Sequence, residues 1–220
     1  AATYDFNLTS AAANTLTINA AVTLSDANFL INNALTTAGT GVLTLSTTGQ
    51  THTANLVMGG TGGVTFSNAQ TNNGGNVTVG DGTTLVTTGA WTNTTGNITV
   101  GGGTSGVWTC TGGCTKAAGD LTVANNGTLT LGAAFTNTAG NAVFNGDTSL
   151  AQNFTMTAGD FTIAANKTIT LTGNTLSLNS NGTYTAPNTS TIHCNGGNLT
   201  IGNAATYDFN LTSAAANTLT

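Results

Sequence analysis

Short alternations of apolar and hydroxyl side chains recur along the chain, each introduced by Gly and then Asn or Asp. They read Gly75-Asn76-Val77-Thr78-Val79, Gly96-Asn97-Ile98-Thr99-Val100, Gly119-Asp120-Leu121-Thr122-Val123, Gly140-Asn141-Ala142-Val143-Phe144, Gly159-Asp160-Phe161-Thr162-Ile163 and Gly197-Asn198-Leu199-Thr200-Ile201. Alternation with a period of two predicts strands with one face buried. The motifs are 21, 23, 21, 19 and 38 residues apart, and 38 is two steps of nineteen with one motif degenerate. Longer stretches align as well, such as Gly89–Gly96 with Gly132–Gly140. The repeating unit is therefore about twenty residues.

A second, longer period encloses the first. The seventeen-residue string AATYDFNLTSAAANTLT occurs at Ala1–Thr17 and again at Ala204–Thr220, an offset of 204 − 1 = 203 positions. Such identity marks a tandem array, with residues 1–203 as one full repeat and 204–220 as the start of the next. Extending the short series to Asn14–Ile18 and Ala54–Met58 gives about ten units per long repeat.

A twenty-residue unit holds two or three strands and tight turns, too little to bury a core alone. Stacked units bury one jointly. The expected fold is all-β: a β-solenoid, or parallel β-helix, of about ten coils of about twenty residues in each long repeat. Val77, Ile98, Leu121, Phe161 and Leu199 then form an inward column, and Thr78, Thr99, Thr122, Thr162 and Thr200 face outward. Gly supplies positive φ at each corner, while the adjacent Asn or Asp is expected to bond the turn's own amides. The absence of a strict hexapeptide repeat disfavours the left-handed triangular type.

Composition supports stacking and removes several functions. Charged residues are 4% of the chain, Glu and Arg are absent, and Lys116 and Lys167 are the only Lys. In a register stack, equal charges at one repeated position would lie about 4.8 Å apart and repel. Recurrent β-branched and aromatic residues argue against disorder. A net charge of −5 disfavours nucleic acid and anionic lipid as partners. No apolar run is long enough for a membrane-spanning helix, and Ala1–Asn7 carry no export-signal pattern, which places any such signal elsewhere. Cys110 and Cys114 are expected to form a disulfide, closing an outward bulge that holds the extra residues of the 23-residue step; free thiols are the alternative. Cys194 then reads as a free buried thiol.

The Gly-Asn/Asp corners and Thr-rich strands resemble the β-solenoid repeats of giant bacterial surface proteins, the haemagglutinin-type adhesins and autotransporter passengers. That resemblance, compositional and topological, covers most of the chain. It implies secretion to an extracellular or cell-surface location, with adhesion or fibre building as the role.

Candidate chemistry is sparse. Acid or base catalysis would rest on Asp5, Asp26, Asp81, Asp120, Asp147, Asp160 and Asp208, several of them in Gly-rich turns where Asp serves the turn. His52 and His193, even with Cys194, lack zinc spacing. Gly80-Asp81-Gly82 is a fragment of a calcium nonapeptide that does not recur. Sequons at Asn7, Asn76, Asn97, Asn126, Asn166, Asn181, Asn188 and Asn198 follow from composition. No catalytic, cofactor or metal residue is therefore expected.

The sequence thus predicts a non-catalytic structural repeat of an extracellular fibre, its partners being further copies of itself end to end, with cell surface or matrix as a further contact. The alternative is the stalk of a giant surface adhesin presenting a distant binding site. A lesser alternative is ice binding, suggested by Thr15-Leu16-Thr17, Thr128-Leu129-Thr130 and Thr168-Ile169-Thr170.

Overall fold

The computed structural model describes residues 14–25, 31, 33–102, 105–179, 181–202 and 206–209. Strands follow one another in a cycle of three, and each pairs in parallel with the strands one cycle before and after. The result is a three-sided β-solenoid. Its first side is a ten-stranded sheet running from Asn14–Thr17 to Thr206–Phe209. The second side has six strands, Val22–Leu24 to Thr128–Leu131, followed by three more, Thr148–Leu150, Thr168–Thr172 and Thr191–Asn195. The third is an eight-stranded sheet from Gln50–His52 to Asn198–Ile201. Eight complete coils lie among the described residues.

Alternation decides which residues enter the core. Most three-residue strands bury their first and third residues, as in Val77–Val79, Ile98–Val100 and Leu121–Val123. Val77, Ile98, Leu121 and Phe161 stand in one buried column and Thr78, Thr99, Thr122 and Thr162 in one outward file, as the sequence predicts. Leu199 does not join them. Gly197-Asn198 opens a strand on the third side, paired with Thr175–Leu178, so this copy of the motif marks a different corner. Counting it with the others is what gives ten units of twenty.

First-side strands begin at residues 14, 35, 56, 77, 98, 121, 142, 161, 183 and 206, in steps of 19 to 23. Nine steps cover 206 − 14 = 192 residues, or 21.3 per coil, so 203 residues amount to about nine and a half coils rather than ten. This half coil bears on the duplicated string. Asn14–Thr17 end its first copy and Thr206–Phe209 lie near the start of its second, yet both occupy the first side. In the string these two segments are 11 residues apart, half a coil. The duplication leads to the expectation that Tyr207, Phe209 and Leu211 take the places of Tyr4, Phe6 and Leu8 one long repeat further along the axis. Tyr4, Phe6, Leu8 and Leu211 lie outside the described residues.

The corner entering the first side is held by a ladder between coils. The amide of Asn76 donates to Asn55 Oδ1 and that of Asn97 to Asn76 Oδ1, both at 2.8 Å. The series continues from Asp120 to Asn97, Asn141 to Asp120, Asp160 to Asn141 and Thr183 to Asp160, all within 2.9 Å. These side chains serve the next coil's amide and not, as the sequence suggests, their own turn. Every rung needs an acceptor oxygen, which Asn and Asp share. Asp120 and Asp160 are separated by Asn141, which keeps like charges roughly 9.6 Å apart along the stack.

Candidate functional site

The third side carries the polar chemistry of the interior. One inward column on it runs His52, Asn72, Asn93, Lys116, Asn137, Met156, Leu178 and Ile201. Its first five members are buried polar side chains, and each needs a partner. For the four that follow His52, the corner three residues later supplies it. Asn72 donates to Gly75 O at 2.6 Å, Asn93 to Gly96 O at 2.8 Å, Asn137 to Gly140 O at 2.7 Å, and Lys116 Nζ to Gly119 O. Asn72 also donates to Asn93 Oδ1 at 2.5 Å.

Lys116 interrupts this asparagine ladder because an ammonium accepts nothing. Asn93 therefore turns its amide to Ala118 O at 3.3 Å, Lys116 takes Ala139 O at 3.0 Å, and the buried Asn137 Oδ1 has no partner. Burial pushes the Lys116 ammonium from the usual 10.5 down to about 8, opposed by the nearby charge of Asp120.

His52 closes the ladder at the other end. Its Nδ1 accepts the amide of Ile31 at 3.0 Å, and its Nε2 lies 3.1 Å from Gln70 Oε1. Since Oε1 only accepts, the neutral ring carries its proton on Nε2. Burial lowers the His52 pKa from 6.5 to about 4, opposed by the Gln70 bond. Between those values the unfolded chain binds a proton that the folded chain does not, so stability falls as pH drops from 6.5 to 4. We expect urea midpoints to decline across that window and the His52→Asn variant to lose most of the decline. An unchanged slope in the variant would assign the acid sensitivity elsewhere.

A second inward column holds Gln70, Trp91, Cys114, Phe135 and Phe154. Phe135 and Phe154 stack with ring centroids 4.9 Å apart, and Trp91 lies 5.0 Å from Phe66. Cys110 and Cys114 are joined by a disulfide across the corner between the second and third sides, both residues buried. Their loop holds no extra residues. Three residues separate Val107–Cys110 from Cys114–Lys116, as between Thr84–Thr87 and Trp91–Thr95. The two additional residues sit one corner earlier, where six follow Ile98–Val100 and only four follow Val77–Val79.

Outside the third side runs a file of hydroxyls: Thr51, Thr71, Thr92, Thr115, Thr136, Thr155, Ser177 and Thr200. The corresponding files elsewhere are broken by Val57 and Val143 on the first side and by Val86 on the second.

Among the described residues, the candidates drawn from sequence do not converge on a reaction centre. His52 is buried on the first described strand of the third side, whereas His193 and Cys194 lie on the last described strand of the second side. Asp120 and Asp160 are rungs of the corner ladder, and the carboxylates of Asp81 and Asp147 accept the amides of Gly102 and Thr168. Asp5 and Asp26 lie outside the described residues, and Asp208 is a first-side strand residue. Among the described residues, no three of His, Cys, Asp and Glu gather as metal ligands. Cys194 is free and exposed rather than buried, and partial burial raises its thiol pKa. Its register position follows the buried Leu150 and Leu171, so it is an inward position on the last described strand of that side. In comparison with known proteins, no family model, curated protein or solved structure matches this chain.

Proposed function

We propose that the chain is a non-catalytic structural repeat of an extracellular fibre. The observation that carries this reading is the verbatim recurrence of seventeen residues 203 positions apart in a chain whose fold grows by adding coils. Each coil offers the next a full set of strand amides and carbonyls, so growth along the axis has no built-in stop.

Recombinant chains of one, two and three long repeats test the proposal. At about 4.8 Å per coil, nine and a half coils predict that each added copy lengthens a straight rod by roughly 46 Å in electron micrographs. Beads separated by flexible joints, or no lengthening, would overturn it.

A further inference from the structure

The eight outward hydroxyls of the third side differ from the polar side chains around them. Corner Asn and Asp bond the next coil, and inward Asn bonds its own corner. Among the described residues, no hydroxyl of the third-side file bonds protein. The file crosses all eight third-side strands, and most of its residues are flanked two positions on by a second polar residue: Thr53, Asn73, Thr94, Thr138, Thr157 or Asn179. Thr94 Oγ1 donates to Asn73 Oδ1 at 2.6 Å, which ties part of this second file together. The grid repeats at about 4.8 Å between strands and about 6.6 Å along each strand.

The occupant of such a grid is constrained by what the side lacks. Its only charged residue, Lys116, is buried, and its aromatic residues Trp91, Phe135 and Phe154 all point inward. A charged polymer finds no counter-charge there, and a sugar ring no aromatic platform. What remains is an electrically neutral surface of hydroxyls that both donate and accept, with methyl groups between them, fixed in place by a rigid sheet. Single contacts of this kind are weak and add up only against a partner that repeats as the grid does. An ice surface presents that partner: neutral water molecules in a lattice, each donating and accepting.

We infer that the third side binds ice through the Thr51–Thr200 file. This site differs from the triplets visible in sequence, because Thr15 and Thr17 lie on the first side while Thr128, Thr130, Thr168 and Thr170 lie on the second.

The test measures thermal hysteresis of the single-repeat chain beside two variants. Thr136→Tyr raises a ring in the middle of the file, and Thr130→Tyr does the same at an exposed position of the second side. Wild type and Thr130→Tyr are expected to show hysteresis and Thr136→Tyr to lose most of it, with strand circular dichroism unchanged. Thr92→Tyr repeats the test should Thr136→Tyr lose its strand signal. Absence of hysteresis in the wild type, or equal loss in both variants, overturns the inference. So does sedimentation showing that Thr136→Tyr only separates paired rods, since the file would then be a contact between copies. Because one repeat suffices, failure here leaves the fibre proposal standing.

Discussion

Replacing Gly140 with alanine is expected to cost roughly 3–5 kcal/mol, a large part of the stability of an ordinary domain. Two effects combine at this position. Its φ is +82°, a conformation that costs a side chain of ordinary handedness about 1–2 kcal/mol. An added Cβ would also collide with the backbone carbonyl of Gly119 in the preceding coil and lie 3.0 Å from Lys116 Nζ. Gly96, Gly119, Gly140 and Gly159 repeat the arrangement, each with positive φ and each backed onto the glycine one coil before. A backbone stacked on backbone cannot yield to one methyl without opening the ladder. Gly173 supplies the comparison, with φ +69° but no atom within 4 Å of the place a methyl carbon would take. Gly173→Ala should therefore show the conformational cost alone, about 1–2 kcal/mol. Urea midpoints of the two variants, with limited proteolysis near residue 140, decide the matter; equal losses would remove stacking from the account.

Lys116 gives the second large effect, and it has the opposite sign. Its folded pKa near 8 lies below the usual 10.5, so between those values the unfolded chain holds a proton the folded chain has released. Stability therefore rises as pH increases from 8 to 10.5, and below pH 8 the full penalty is present. A displacement of this size corresponds to about 3 kcal/mol. Lys116→Asn should recover most of it at pH 7, because an asparagine there can bond Gly119 O as its neighbours do and offer an oxygen to Asn93. Denaturant midpoints at pH 7, 9 and 10.5 for both proteins test this. A variant no more stable at pH 7, or one with the same alkaline rise, would show that the ammonium is well accommodated.

The inside and outside of each strand were legible in sequence because a period of two leaves no freedom. Val77, Thr78 and Val79 must face in, out and in. What stayed hidden is whatever depends on a neighbour twenty residues away. The partner of Asn76 Oδ1 is the amide of Asn97, which no local pattern names. Nor does a corner motif state which corner it is, so Gly197-Asn198 counted as a first-side strand and shortened the apparent coil. The buried ladder left a signal that went unread. Asn72 and Gly75, Asn93 and Gly96, Lys116 and Gly119, and Asn137 and Gly140 all stand three apart, but polar residues are ordinarily assigned to the surface. Cys194 misled for a related reason: its phase is that of a core residue, while its strand is the last described on its side.

The corner ladder also gives the rod a direction. Each Asn or Asp oxygen of this ladder receives the amide of the coil that follows, from Asn55 to Asp160. In this ladder the two ends of a stack are thus unlike, one leaving a corner amide and the other a corner acceptor oxygen to be matched. A filament built from such units has a head and a tail, every unit points the same way, and a single cap fitted to one end leaves the other free to grow.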